Sequence, residues 1–246
     1  MTCSLDRWLL WFGILTTLGC SSYPRAHRAP TMTILTEESQ QGSALHRILV
    51  EKMQQKPSSD GALIDPIVRI AARVIAAARQ SASETMAVPF SWELAVVEDD
   101  RVRRVFVLPE GGIVVYSGIF HIAETEAGLA AILCHEIAHA LARHGSTDMV
   151  QQGMTEPQQS ALFTRDQELV ADEIGLKLMA EAGYDPWEML RVWQRMKMRM
   201  DEPSGDLLLS HITYDRRMDQ ISAWVPEALL LYERARRAPQ RALPQR

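Results

Sequence analysis

Hydrophobic and polar positions follow three patterns along the chain. Residues 43–56 and 63–80 repeat apolar side chains at helical spacing, and a break at 57–61 (PSSDG) separates them. Between residues 88 and 117, short β-branched runs alternate with charged or glycine-containing turns, which predicts a meander of about three strands. From Glu124 onward the pattern is helical almost to the end. The sequence therefore predicts an α+β fold that is mostly helical, with a small sheet packed on the helices.

The N-terminal region has the features of an export signal. Residues 8–19 form an uncharged apolar run, shorter than the roughly 20 residues that span a bilayer. The run ends in Leu-Gly-Cys20-Ser, which resembles a bacterial lipoprotein processing site. We therefore expect a signal peptide at 1–19, a lipid on Cys20, a tether at 20–41 and a periplasmic location, with Ser21 favouring the outer membrane. Plain signal cleavage and an uncleaved anchor are the alternatives.

Composition limits the classes of protein to which the chain can belong. The chain has 246 residues, 26 Lys and Arg against 31 Asp and Glu, and a net charge of -5, which argues against a nucleic-acid surface. If Cys3 is removed and Cys20 carries lipid, only Cys134 remains inside the fold, so a disulfide scaffold is excluded. One domain is expected at 42–235, followed by a disordered tail at 236–246.

A metal-binding pattern lies in the helical part of the chain. His135 and His139 are four residues apart in the predicted helix 126–144, so both imidazoles can face one ion. Glu136 follows the first histidine, where a carboxylate can act as a base without coordinating. On a second predicted helix, Glu168 and Asp172 are one turn apart. Two histidines and one glutamate form an open, catalytic zinc set, and Asp172 is placed to orient a histidine.

Several segments resemble the HtpX/Oma1-type gluzincin metallopeptidases, relatives of the CAAX prenyl proteases. The matching segments are 108–118 (LPEGGIVVYSG), 135–145 (HEIAHALARHG), 168–172 (ELVAD) and 182–186 (AGYDP). The resemblance implies a zincin-like metallopeptidase domain with one zinc ion held by His135, His139 and Glu168, and Glu136 as catalytic base. It marks Asp172 as orienting a ligand or donating a proton, and we favour the orienting role.

Two segments depart from the family's pattern. The strand turn has an extra Glu110, and the later Ser-His-Pro segment is Ser210-His211-Ile212 here, with Arg217 six residues on. By resemblance, His211, steadied by Arg217, would stabilise the oxyanion, and a mobile His211 could instead block the zinc. A surface histidine near a helix start is the alternative.

The expected reaction is endoproteolysis of unfolded or misassembled envelope proteins. An extended peptide can add to an exposed sheet edge through main-chain hydrogen bonds. We expect that edge to be the strand formed by Gly112, Ile113, Val114, Val115 and Tyr116. His144, five residues after His139, is expected to lie off the ligand face, and Gly145 to end the helix. The alternative functions are a catalytically silent zinc-containing binding or chaperone module and an exopeptidase.

Overall fold

A computed structural model describes residues 32–36, 44–81, 91–108, 111–144, 163–199 and 214–237. The strands and helices in these ranges confirm the α+β class, with helices predominating. In chain order they are β1 (Thr33–Leu35), α1 (Ala44–His46, continued by a π-helical segment, Arg47–Lys52), α2 (Gly61–Ser81), β2 (Glu93–Val97), β3 (Val105–Val107), β4 (Gly112–Tyr116), α3 (Phe120–Ala123, after a 3-10 turn at Ser117–Ile119), α4 (Glu126–Leu141), α5 (Arg165–Glu181), α6 (Trp187–Met198) and α7 (Tyr214–Arg237).

The four strands form one mixed sheet in the order β1-β2-β4-β3. β2 is parallel to both β1 and β4, whereas β3 is antiparallel to β4. Three strands between residues 88 and 117 are confirmed, but the predicted meander is wrong because β2 and β4 are parallel neighbours. The continuous apolar runs of β2 and β4 are typical of parallel strands that are covered on both faces.

The ends of the chain differ from the predicted boundaries. β1 lies inside the stretch 20–41 that was expected to be a tether, and its residues pair with Glu93–Ala95 of β2. A three-residue strand is too short for a period-2 pattern to reveal it. The last helix continues to Arg237, inside the stretch 236–246 predicted to be a tail. Residues 1–31, which include Cys20, and residues 238–246 lie outside the described ranges.

Helices cover both faces of the sheet. On one face, apolar side chains of β2, β3 and β4 join a large core with α2 and α4; these are Leu94, Val96, Val105, Ile113 and Val115. The other face forms a second core with Leu45, Ile48 and Leu49 of α1. Burial on both faces explains why the strands read as nearly continuous apolar runs.

The central element is α4, which packs against α2, α5, α6 and β3. All its residues from Gly128 to Ala140 are buried, as expected for a helix that is apolar around its whole circumference. The Thr125 side chain caps the start of the helix by accepting a hydrogen bond from the Gly128 amide at 2.9 Å. The polar residues of α4 are therefore carried into the protein interior. No helix in the described part of the chain has both the length and the apolar character needed to cross a bilayer.

Candidate metal centre

Small residues let α4 and α5 approach closely. A Cβ atom on Gly175 would lie 3.1 Å from the carbonyl carbon and oxygen of Cys134 and from the Cα of His135. Ala171, one turn earlier on α5, is fully buried. Gly175 was not predicted to take part, although its spacing of four residues from Ala171 is visible in the sequence. The close approach brings the start of α5 next to the histidines of α4.

A capping box fixes the first turn of α5. The Thr164 hydroxyl accepts a hydrogen bond from the Gln167 amide at 3.2 Å, and the Gln167 side chain accepts one from the Thr164 amide at 2.9 Å. Glu168 follows immediately and is buried. Its carboxylate is near the positive end of the helix dipole, which partly offsets the cost of burying the charge.

His135, His139 and Glu168 bring three ligand atoms together, all from buried side chains. The two Nε2 atoms are 3.1 Å apart. Glu168 places Oε2 3.4 Å from Nε2 of His135 and Oε1 3.4 Å from Nε2 of His139. Tetrahedral zinc with bonds of about 2.0–2.1 Å requires ligand atoms about 3.3 Å apart. The three residues therefore fit zinc.

Asp172 lies behind the first histidine. Its Oδ1 is 3.0 Å from Nδ1 of His135 and accepts a hydrogen bond from the Trp193 indole at 3.2 Å. A carboxylate at Nδ1 fixes the tautomer that directs Nε2 towards a metal. In the metal-free protein, burial lowers the pKa of His135, but the hydrogen bonds and charges of Asp172 and Glu168 outweigh it and raise the pKa to about 9.

Arg217 reaches the centre from α7 and is 1% exposed. Its Nε and Nη2 donate to the two carboxylate oxygens of Asp172, each at 2.7 Å, and its Nη1 lies 2.8 Å from Oε2 of Glu168. Burial raises the pKa of Asp172, but the charge and hydrogen bonds of Arg217 outweigh it, so the pKa is lowered. Arg217 was expected to steady His211, which lies outside the described residues. Its contacts with the two carboxylates were not foreseen.

Two rings surround the second histidine. His144 places Nδ1 3.0 Å from Nδ1 of His139, and Phe163 stacks on the His139 ring with 3.9 Å between centroids. His144 was expected to lie off the ligand face because the predicted helix continued to residue 144. The helix instead ends at Leu141, and Arg143 adopts a left-handed conformation with φ of 54°. The expected end at Gly145, which is outside the described residues, is therefore wrong.

The remaining predicted residues have different outcomes. Glu136 is buried beside His135 on α4. Cys134 is also buried, and burial raises the pKa of its thiol, as for a packing residue.

The expectation of an exposed edge at 112–116 is wrong, because β4 lies between β2 and β3 and all five residues are buried. In the described sheet the outer strands are β1 and β3. An apolar residue at every position of a strand indicates burial on both faces.

Comparisons with known proteins agree with this centre. The model of Peptidase family M48 matches residues 67–163 and 157–225, more than half of the chain. The mitochondrial metalloendopeptidase OMA1 of Saccharomyces cerevisiae is 27% identical over 250 residues, covering 89% of this chain and 66% of the relative. The OMA1 of Schizosaccharomyces pombe is 31% identical over 191 residues, covering 66% and 53%.

A bacterial relative is the beta-barrel assembly-enhancing protease of Yersinia pestis, 24% identical over 200 residues, with 68% of this chain and 40% of the relative covered. The chain thus spans less than two thirds of the length of the first of these relatives and about half or less of the others. Two imidazoles and a carboxylate on two adjoining helices are the donor set expected of zinc-dependent metallopeptidases. Together with the family match, they show that the chain belongs to Peptidase family M48.

Proposed function

We propose that this chain is a zinc-dependent metalloendopeptidase that cleaves unfolded or misassembled proteins of a bacterial cell envelope. The three-ligand donor set on α4 and α5, with the buried Glu136 beside it, carries the proposal. Structural zinc sites have four protein ligands, whereas catalytic sites have three and leave one position open. A silent zinc module, the second candidate, has no need of an acid next to a ligand.

The side chains divide the reaction among them. Zinc, when bound, polarises the scissile carbonyl and lowers the pKa of water. Glu136 accepts the proton of the attacking water and delivers it to the departing amine. Asp172 holds His135 in the tautomer that directs Nε2 towards the ion, and Arg217 holds the carboxylate of Glu168 in place.

Cleavage and metal content test the activity together. The purified full chain should cleave casein, lose that activity with a chelator and regain it with zinc. Glu136→Gln should abolish cleavage while keeping one zinc per chain, because Glu136 is not a ligand. Glu173→Gln, which alters a partly exposed carboxylate of α5, is the matched control and should leave cleavage unchanged. Cleavage that survives Glu136→Gln would remove the mechanism, and a zinc-loaded wild type without cleavage would favour the silent module.

His211 is proposed to act on the reacting carbonyl or on the metal. This role rests on the resemblance of segment 210–217 to the family's later motif. If His211 stabilises the oxyanion, His211→Ala lowers kcat, and if it blocks the zinc, the same change raises activity. Unchanged kinetics would eliminate both roles.

β3 is proposed as the strand to which substrate adds. The Tyr116 amide donates to the Arg104 carbonyl at 2.9 Å and the Leu108 amide donates to the Gly112 carbonyl at 2.7 Å. Because hydrogen-bonded pairs alternate along an antiparallel ladder, the amides and carbonyls of Val105 and Val107 point away from β4. None of the described strands pairs with that side of β3. Main-chain recognition of this kind favours unfolded polypeptides of varied sequence.

Proline substitutions separate the two sides of β3. Val107→Pro removes an outward amide, so we expect a raised KM for an unfolded substrate with little change in thermal midpoint, since proline is tolerated at strand edges. Phe106→Pro removes an amide that faces β4 and should lower the thermal midpoint. An unchanged KM in a folded Val107→Pro variant would contradict the assignment of β3.

Attachment to the envelope is proposed through a lipid on Cys20. The apolar run at 8–19 and the Leu-Gly-Cys-Ser boundary support it. In a bacterial host, labelled fatty acid should be incorporated into the wild type but not into Cys20→Ser, and the variant should leave the membrane fraction. Equal labelling of the two proteins would rule out lipidation at this position.

A further inference from the structure

The two zinc-binding histidines have different hydrogen-bond partners on the side away from the metal. Nδ1 of His135 faces the carboxylate of Asp172 at 3.0 Å. Nδ1 of His139 faces Nδ1 of His144, also at 3.0 Å. A carboxylate only accepts, whereas a neutral imidazole nitrogen accepts or donates according to its tautomer. In the second contact, either Nδ1 can therefore be the donor, provided that the other one accepts.

The way in which His139 binds the metal determines which of the two histidines donates. His139 directs Nε2 to the centre, 3.1 Å from Nε2 of His135 and 3.4 Å from Oε1 of Glu168. A histidine that binds zinc through Nε2 carries its proton on Nδ1. The Nδ1 of His144 must then accept that proton's hydrogen bond, which places the proton of His144 on Nε2.

The backbone after α4 places His144 there. In a continuous helix, a residue five positions after His139 is rotated about 140° away from it. Here the Arg143 amide donates to the Ala140 carbonyl and the His144 amide donates to the His139 carbonyl, each at 3.0 Å. This is a Schellman motif with Arg143 in the left-handed position that glycine usually occupies. The turn folds the His144 ring back over the last helical turn.

We propose that His144 is a positioning residue that fixes the tautomer and ring orientation of His139 and thereby sets the zinc affinity. Phe163, stacked on the His139 ring at an interplanar angle of 22°, restricts the same ring from its face. The proposal concerns the zinc site on which the proposed function also rests. Its test measures metal affinity, so a chain that binds zinc without cleaving peptides leaves this proposal intact and removes the other.

Two substitutions of His144 distinguish the effect of its hydrogen-bond acceptor from the effect of its size. His144→Asn retains an acceptor oxygen near the Nδ1 position, whereas His144→Leu has similar size and no acceptor. Zinc affinity of the full chain, measured by competition with a chromophoric chelator, should fall about 10- to 100-fold for His144→Leu. His144→Asn should stay close to the wild type. The visible spectrum of the cobalt-substituted protein should change for the leucine variant alone.

The backbone supplies a second, independent test. Arg143→Gly suits a positive φ, so it should keep the turn, the thermal midpoint and the zinc affinity. Arg143→Val, β-branched at the same φ, should disturb the turn and lower zinc affinity like His144→Leu. Wild-type affinity in His144→Leu would overturn the proposal. Equal losses in the leucine and asparagine variants would also overturn it, because the ring rather than the acceptor would then matter.

Discussion

Replacing Arg217 by methionine tests how the charges of the centre are balanced. The guanidinium lies against two carboxylates, Asp172 at 2.7 Å and Glu168 at 2.8 Å. Both carboxylates are almost completely buried, at 0% and 1% exposure. Methionine fills a similar volume but has no charge and no donor. In this variant, the buried carboxylates of Asp172 and Glu168 have no arginine to pair with.

The expected size of the effect follows from burial. Removing one partner of a buried ion pair costs about 3–5 kcal/mol, because the other charge is left uncompensated. At about 2–4 °C per kcal/mol for a domain of this size, the thermal midpoint of the metal-free protein should fall by about 6–20 °C. Zinc bound at Glu168 supplies positive charge, so the fall should be smaller in the zinc-loaded protein.

Calorimetry of metal-free and zinc-loaded protein measures both effects. Arg216→Met is the matched control, since Arg216 is the exposed neighbour on the same helix. Arg217→Lys keeps the charge but loses the forked donor geometry, so an intermediate midpoint is expected. If metal-free Arg217→Met melts at the same temperature as Arg216→Met, Arg217 does not balance these carboxylates and the reasoning is wrong.

Three further changes probe the surroundings of the ligands. Gly175→Ala should weaken zinc binding, because its Cβ would meet α4 backbone atoms at 3.1 Å, whereas Gly61→Ala, with nothing within 4 Å, should leave metal affinity unchanged in the same chelator titration. The pKa of His135 in the metal-free protein is raised from 6.5 to about 9, so protonation stabilises the fold fully below pH 6.5 and this gain is lost as the pH rises through about 9. The thermal midpoint of the metal-free protein should therefore fall over that range; zinc requires neutral His135 and should remove the slope, and a flat metal-free profile would contradict the shift. Trp193→Phe keeps an aromatic ring but removes the hydrogen bond to Asp172, which should cost about 1–3 kcal/mol in chemical denaturation, and an unchanged free energy of unfolding would show that this bond contributes nothing.

Helical spacing in the sequence was sufficient to predict the zinc ligands because they lie within regular helices. His135 and His139 share a face through the four-residue spacing, and the same rule placed Asp172 one turn from Glu168. A helix preserves angular relations along its length, so such residues are readable from spacing alone.

Other features depend on where regular structure stops or how strands pair. The position of His144 was predicted wrongly because the chain leaves the helix through a positive φ at Arg143. Arginine rarely adopts this conformation, so the sequence gives no sign of it. β4 was wrongly predicted to be an edge strand because the sequence of a strand does not show which other strands pair with it. Arg217 was expected in the site, yet its partners depend on how α7 packs on α5, which no local pattern encodes.

The position of Arg217 in the chain has a consequence for biosynthesis. All three zinc ligands are translated before α7, but the cation that neutralises Asp172 and Glu168 belongs to that last described helix. A nascent chain that ends before residue 214 thus has its ligands without the arginine that pairs with both carboxylates. The catalytic centre is expected to mature only when α7 docks, so a partly synthesised molecule remains inactive near the ribosome.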